Sequence, residues 1–338
     1  MAKVITLGEI LIRYATEPGV RLANTASLAL HYGGSEANVC ITLSGLGHDS
    51  HILSKLPDNP LGHGALQHLR QYGVQTDQVL LGGERFGAYF VEMGAGPRPT
   101  SVVYDRKYSS FASMKTVDWK LAHLFDDAEI FHVSGITPAL SEEMAEITLQ
   151  LVRLAKEQGL KVSFDSNYRA KLWSLEEASA MYERLLPYVD YCSMGKLDAL
   201  NILGVPEYQN KEATIAEELD YYYSEMHHMY PNIKLFYATM RDVISTNENN
   251  LTGTIWSHHE LYFSKEYKIP AIVDRIGGGD AFTAGILHGL LTNLPAQETI
   301  EFATGLSTLK HTISGDSIYV TPAEVTQFCA MDSSKINR

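Results

Sequence analysis

Three glycines followed by an aspartate form the segment of this chain best suited to chemistry. Gly277, Gly278, Gly279 and Asp280 stand directly before an apolar stretch with helical periodicity, 281–291. Glycines let backbone N–H groups approach an anion closely, and a helix start adds partial positive charge. An aspartate there could accept a hydroxyl proton while the amides stabilise a transferring phosphoryl group. In the alternative interpretation, Asp280 only caps the helix.

A second glycine pair, Gly33 and Gly34, precedes another helical pattern that contains Asn38. A single short glycine motif occurs readily by chance, but two in one chain are less easily accidental. In this order, the two segments resemble the two signatures of the ribokinase-like (PfkB) carbohydrate kinases. The resemblance spans nearly the whole chain. It implies a sugar hydroxyl as acceptor, Asp280 as general base, ATP and Mg²⁺ as cofactors, and it raises a monovalent cation such as K⁺ as a further one.

The sequence is most similar to the branch of this family that phosphorylates 2-keto-3-deoxygluconate, a sugar acid. Arginine is the informative residue type, since a sugar acid carries a carboxylate that Arg106 or Arg169 could bind in a bidentate fork. The resemblance implies sugar contacts by Gly34, Asn38, Tyr89, Tyr104, Arg106, Arg169 and Asp280, and ATP contacts by Asn167, Thr239, Arg241, Gly277 and Gly279.

Other interpretations of these residues stay open. Arg169 could pair with Asp165 or another nearby carboxylate, and Tyr89 and Tyr104 could simply pack across a hairpin. The substrate could instead be fructose, ribose or 2-keto-3-deoxygalactonate. A non-catalytic sugar-acid sensor could also keep the same fold, because a fold alone does not fix a function.

The sequence departs from the family pattern on the nucleotide side. The usual Asn-x-x-Glu, associated with magnesium and phosphate placement, appears as GKLD at 195–198, so Asp198 with its shorter carboxylate is the metal candidate. The segment 238–245 stands where relatives carry a glycine-bearing nucleotide loop, and a polar turn is predicted at 247–250. ATP contacts are therefore assigned near Thr239 and Arg241.

Apolar runs alternate with helical patterns along the chain, which predicts an α/β fold with a mostly parallel sheet and helices on both faces. With the resemblance, this is a ribokinase-like three-layer sandwich in one domain, 1–330, followed by a polar tail, 331–338. Two strand-like runs inside 86–107 indicate an inserted hairpin, and a β-lid is expected from about 11–32 and 85–112. Strands are predicted at 4–7, 130–133, 161–164, 189–192 and 235–238, and helices at 36–46, 61–72, 141–158, 175–186 and 211–228.

Bulk properties narrow the partners and the compartment. The net charge of −13 over 338 residues, with no basic stripe, excludes nucleic acid as a partner. No apolar run approaches the ~20 residues of a membrane span, and the N-terminus lacks a signal-peptide cleavage pattern. Three widely spaced cysteines indicate neither a disulfide framework nor a zinc ribbon, so we expect a cytoplasmic protein. An exposed lid edge could pair two copies, which predicts a homo-oligomer through the lid.

Overall fold

The structure, a computed structural model, describes residues 1–96 and 98–331. Apart from Met331, the predicted polar tail lies outside these residues. The strands are β1 (Lys3–Leu7), β2 (Leu11–Ala15), β3 (Ala29–Gly33), β4 (Asp49–Leu56), β5 (Val79–Leu81), β6 (Gly87–Glu92), β7 (Ser101–Asp105), β8 (Ala128–Ser134), β9 (Lys161–Asp165), β10 (Tyr191–Ser193), β11 (Leu235–Ser245), β12 (Glu248–Ser257), β13 (Glu260–Phe263) and β14 (Tyr267–Ile269).

Helices fill most of the intervals between these strands. Several start at residues whose side chains accept backbone N–H groups of the first turn: Asn59, Ser141, Ser174, Thr214 and Thr321. The helices are α1 (Ser35–Gly45), α2 (Pro60–Gln71), α3 (Glu142–Glu157), α4 (Leu175–Leu185), α5 (Lys196–Asn201), α6 (Ile215–Met229), α7 (Gly278–Leu291), α8 (Ala296–Lys310) and α9 (Pro322–Cys329).

The main sheet has the order β13-β12-β11-β10-β9-β8-β1-β4-β5, with β14 also paired to β12. From β5 to β11 all neighbours are parallel. Alternate residues of β1 pack on opposite faces: Val4 lies with Val39 of α1 and Ala284 of α7, whereas Ile5 lies in the core that contains Met144 of α3. The predicted three-layer sandwich is confirmed.

Two sequence predictions in the C-terminal half need correction. The helix predicted from residue 211 begins at Ile215, because Thr214 caps it. The polar turn predicted at 247–250 is mostly strand, since β12 begins at Glu248 and pairs antiparallel with the whole length of β11. The polar residues join a strand because their backbone groups complete the antiparallel ladder with β11.

A second sheet of four strands forms the lid, in the order β3-β2-β6-β7. The strands β6 and β7 form the predicted hairpin and pair antiparallel, with Tyr89 directly opposite Tyr104. The strand β2 pairs parallel with β6, which joins the two distant lid segments into one sheet. In the described part of the chain, no helix has both the length and the apolar character that crossing a membrane requires.

Candidate active site

A cavity of about 540 Å³ lies under the lid, where the N-termini of α1 and α7 face the loop that follows β9. Ligands of open α/β sheets bind at this edge, outside the carboxyl ends of the strands. The cavity is lined by most of the residues selected from the sequence: Gly34, Asn38, Tyr89, Tyr104, Arg106, Asn167, Arg169, Thr239, Arg241, Gly277, Gly279 and Asp280. Gly278 is buried against His311, and Asp198 lines a neighbouring cavity instead.

At Gly277, the N-cap of α7, steric constraints favour glycine over any other residue. Its φ is +81°, a left-handed conformation that side chains rarely adopt. A Cβ there would lie 1.6 Å from the carbonyl oxygen of Asp316. The first amides of α7 have no intrahelical acceptor, so this helix start can bind an anion in the cavity.

The carboxylate of Asp280 is held by two side chains of α1. Ser35 Oγ donates to Oδ1 at 2.7 Å, and Asn38 Nδ2 donates to Oδ2 at 2.6 Å. Burial raises the pKa of Asp280, while these hydrogen bonds and the charge of Arg169 lower it. Gly277 occupies the N-cap and these bonds run to another helix, so the side chain of Asp280 does not cap α7.

Gly34 lets the start of α1 lie against the segment between β1 and β2. Its φ is +144°, and a Cβ would lie 2.2 Å from the carbonyl oxygen of Glu9. The next residue, Ser35, also accepts a hydrogen bond from Asn167 Nδ2 at 3.1 Å. Asn167, Ser35 and Asp280 are thus linked in one chain of hydrogen bonds across the floor of the cavity.

Asp165 supplies a second carboxyl group at the end of β9. Burial raises its pKa to about 7, and the nearby charge of Asp280 adds to this rise, while Arg169 opposes it. Two acidic groups so close disfavour each other's ionisation. The cavity floor therefore gains from any cation that neutralises the pair.

Arg169 extends from the loop after β9 into the cavity, and the residue is exposed. Its Nη1 lies 3.5 Å from the carbonyl oxygen of Tyr168. Within 1–96 and 98–331, no carboxylate forms an ion pair with it; Asp165 and Asp280 feel its charge only at longer range. The guanidinium is available for a ligand, in contrast to the predicted alternative of an ion pair with Asp165.

Arg106 is already paired with Glu9, which is only 4% exposed. Both Nε and Nη2 of Arg106 donate to Glu9 Oε2, the former at 2.8 Å, and Ser109 donates to Oε1. A buried carboxylate needs such a partner. Arg106 lines the cavity as expected, but its fork is used within the protein, which leaves Nη1 for a ligand.

The two lid tyrosines both line the cavity and also pack on each other, with ring centroids 6.0 Å apart. The hydroxyl of Tyr89 donates to Asp316. Tyr104 lies on β7, a strand that is largely exposed. Packing across the hairpin and contact with a ligand are thus compatible roles.

A second cavity of about 400 Å³ adjoins the first and shares Asp165, Asn167, Ser193 and Thr239 with it. Asp198 lies there, but its Oδ1 accepts from Ser166 Oγ at 2.6 Å and its Oδ2 from the amide of Gly195 at 2.9 Å. The carboxylate caps α5. The described residues include no group of three or more His, Cys, Asp or Glu side chains that could hold a metal ion.

Sequence reasoning missed several polar residues of the site. Ser35 follows the selected Gly34 directly, so its position was the available signal. Arg275 lies inside the glycine segment and lines the cavity together with Arg241. The cluster of Arg13 with Asp274 and Asp316 gave no local signal, because its members are brought together only by folding.

Comparisons with known proteins give matches over nearly the whole chain. Residues 1–322 match the model of the family described as pfkB family carbohydrate kinase. A curated relative, 2-dehydro-3-deoxygalactonokinase of Haloferax volcanii, is 34% identical over 339 residues, covering 100% of this chain and 99% of that protein.

Two solved structures are similar over almost their whole length. A PfkB family carbohydrate kinase from Listeria grayi is 45% identical, with a TM-score of 0.92, covering 97% of this chain and 100% of that one. The 2-dehydro-3-deoxygluconokinase of Thermotoga maritima is 38% identical, with a TM-score of 0.93 and coverage of 98% of each chain.

Proposed function

Since this chain belongs to the pfkB family of carbohydrate kinases, we propose that it transfers the γ-phosphoryl group of ATP to 2-keto-3-deoxygluconate, giving the 6-phospho product. The observation that carries this proposal is one cavity in which the Asp280 carboxylate and the N-terminus of α7 face the exposed Arg169. The first two can serve phosphoryl transfer, and Arg169 can bind the carboxylate of a sugar acid.

In the proposed mechanism, Asp280 accepts the proton of the primary hydroxyl as the oxygen attacks the γ-phosphorus, the bond to the β–γ bridging oxygen breaks, and ADP leaves. Ser35 and Asn38 hold the carboxylate so that its remaining lone pairs face the hydroxyl. The amides of Gly277, Gly279 and their neighbours stabilise charge on the transferring group. Most of the catalysis then comes from positioning.

The sugar acid is placed under the lid, and the nucleotide in the adjoining cavity. Arg169 would bind the acid's carboxylate, with Gly34, Tyr89, Tyr104 and Arg106 around the rest of the sugar. Thr239 and Asn167 belong to the junction of the cavities, and Arg241 and Arg275 add positive charge near the glycine loop. This arrangement suits the triphosphate.

Kinases of this family use ATP with Mg²⁺. Asp165 lies at the junction of the two cavities and Asp280 in the first, and this acidic pair suits a cation that neutralises the nucleotide phosphates. Asp198 is less suited, because both of its oxygens already accept hydrogen bonds.

A second candidate substrate is 2-keto-3-deoxygalactonate. It is favoured by the 34% identity with the Haloferax volcanii enzyme, which is named for that acid under its synonym 2-dehydro-3-deoxygalactonate. The two acids share the carboxylate and the primary hydroxyl, so Arg169 and Asp280 would serve both.

The test is ATP turnover with a panel of both keto-deoxy acids, fructose and ribose. We expect the highest kcat/KM with one of the two acids, because only they carry a carboxylate for Arg169. A higher value for fructose or ribose would overturn the sugar-acid assignment. ATP binding without turnover of any sugar would instead favour the sensor.

We further propose that two copies of this one-domain chain, 1–330, associate through the lid. Leu30 and Val103, on the two edge strands of the lid sheet, are 45% and 55% exposed. Light scattering should then give twice the chain mass of 37.5 kDa, and Val103→Asp should give a monomer. A wild-type monomer would refute this association.

A further inference from the structure

Lys310 is a charged residue with no exposed surface in the structure, although it is the last residue of α8. Its Nζ donates to the carbonyl oxygens of Ile313 at 3.0 Å and Asp274 at 3.4 Å. Lysines are rarely buried completely, because removing an ammonium group from water is unfavourable unless the group is paired. A compensating role is therefore to be expected.

A simple helix-capping role explains only part of the burial of Lys310. Lysines in the last turn often hydrogen-bond the final carbonyls, as Lys310 does with Ile313, but they usually do so at the surface. Lys310 also crosses to Asp274, which opens the glycine segment 36 residues earlier in the chain. The contact therefore ties the end of one helix to the loop that precedes another.

The surroundings of Lys310 form an electrically balanced cluster. Arg13 pairs with Asp274 at 2.6 Å and with Asp316 at 3.1 Å, and all of these side chains are almost fully buried. Burial lowers the pKa of Lys310, and the two carboxylates oppose this effect because they favour the charged form. Two cations face two anions, so removing Lys310 leaves a net negative charge in the interior.

This cluster lies directly beneath the anion-binding loop. Asp274 Oδ1 accepts from the amide of Ile276 at 3.1 Å, and the backbone of Asp316 touches Gly277. A Cβ on Gly277 would be 3.4 Å from Cε of Lys310. The ammonium group of Lys310 thus helps to fix the position of the amides that would stabilise the phosphoryl group.

Carbonyl and carboxylate oxygens of this kind are also what a hard metal cation such as K⁺ would take as ligands. The place behind the loop where the carbonyl oxygens of Asp274 and Ile313 converge already holds Nζ of Lys310. We infer that Lys310 is a built-in cation that fixes the glycine loop, so that a free monovalent cation is not needed there. This differs from the K⁺ requirement that the family resemblance raised.

The first test needs no variant and compares potassium salts with tetramethylammonium salts of the same ionic strength. We expect the wild-type kcat with ATP and the accepted sugar, and the melting temperature of the free protein, to be the same in both. A several-fold loss of kcat, or a lower melting temperature, in tetramethylammonium would overturn the inference. The melting measurement decides the point even if no sugar of the panel is accepted.

The second test uses two substitutions that differ in the space they leave. Lys310→Ala opens room beside the carbonyl oxygens, whereas Lys310→Met fills it without a charge. In tetramethylammonium we expect both to lower kcat by about 10- to 100-fold, as for a misplaced catalytic loop, with a smaller change in the sugar KM. Potassium or ammonium should restore kcat and melting temperature in Lys310→Ala but not in Lys310→Met.

The exposed Lys211→Met is the matched control and should behave as wild type in both salts. Wild-type kcat in Lys310→Ala without potassium, or equal restoration of both variants by potassium, would show that the buried charge has no such role. If neither variant folds, the wild-type salt comparison still confirms or refutes the inference.

Discussion

Asp280 is the residue on which the proposed chemistry depends most. Asp280→Asn keeps the size of the side chain and an oxygen for Ser35 or Asn38, but removes the proton acceptor. We expect kcat to fall by about 10²–10⁴-fold, the usual contribution of a general base, with little change in ATP affinity. Steady-state kinetics and calorimetric ATP titration measure the two quantities.

The control for this substitution is Asp242→Asn, which removes an exposed carboxylate from β11. It should leave kcat unchanged. An unchanged kcat in Asp280→Asn would remove Asp280 from the mechanism, whereas equal losses in the two variants would indicate a general effect of charge.

Arg169 should determine the preference for acids over neutral sugars. Arg169→Ala removes a guanidinium that the protein does not use for an ion pair, so we expect the KM of the sugar acid to rise about 10- to 100-fold, the range of a charge-assisted hydrogen bond. Arg169→Lys should recover part of this loss, because it keeps the charge but not the fork. A similar rise in KM for a neutral sugar would contradict the assignment.

For single residues, the sequence predicted which residue types form the site better than it predicted which side chains pair with each other. Gly277 and Asp280 carry local signals, since a glycine run before a helix is visible in the sequence. The pairing of Arg106 with Glu9 spans 97 residues, and that of Arg13 with Asp274 spans 261. Which of two arginines is free for a ligand is thus decided by folding alone.

Among the elements, α7 owes its position to a single backbone conformation. Gly277→Ala combines a left-handed φ with a clash against Asp316, whereas Gly159→Ala has a φ of +88° with no atom within 4 Å of its Cβ. The first should lower the free energy of unfolding by about 2–5 kcal/mol, and the second by about 1–2 kcal/mol. Urea denaturation measures both, and equal losses would show that the contact with Asp316 is easily relieved.

The elements themselves were largely predictable from periodicity and capping residues. The helix at 142–157 begins after Ser141, the residue at which the sequence predicted it to start. The lid hairpin was also visible, but its parallel pairing with β2 was not, because parallel strands have no connecting turn as a signal. The length of the β11–β12 pair was not visible either, because the polar residues 247–250 were interpreted as a turn although β12 begins at Glu248.

For the whole molecule, the alternation of strands and helices was enough to predict the sandwich. The pH dependence of its stability was not predictable, because it depends on where carboxyl groups are buried. In the part of the chain that the structure describes, burial raises the pKa of five carboxyl groups: Glu36, Asp165, Asp198, Asp280 and Asp316. A raised pKa in the folded state means that the folded protein holds protons that the unfolded chain has released.

Among these five carboxyl groups, Asp165 has a definite value, because its pKa rises from 3.8 to about 7. Its stabilising contribution is complete below the unfolded pKa and is lost as the pH rises toward about 7. Above about pH 8 the folded protein must hold an ionised, buried Asp165, and Asp165→Asn removes this cost. The substitution should therefore raise the free energy of unfolding by about 2–4 kcal/mol above about pH 8, and far less at about pH 4.5. Urea denaturation of the free protein at both pH values, with Asp242→Asn as control, measures the difference. A stabilisation that is the same at both pH values would mean that packing, rather than the proton of Asp165, is its source.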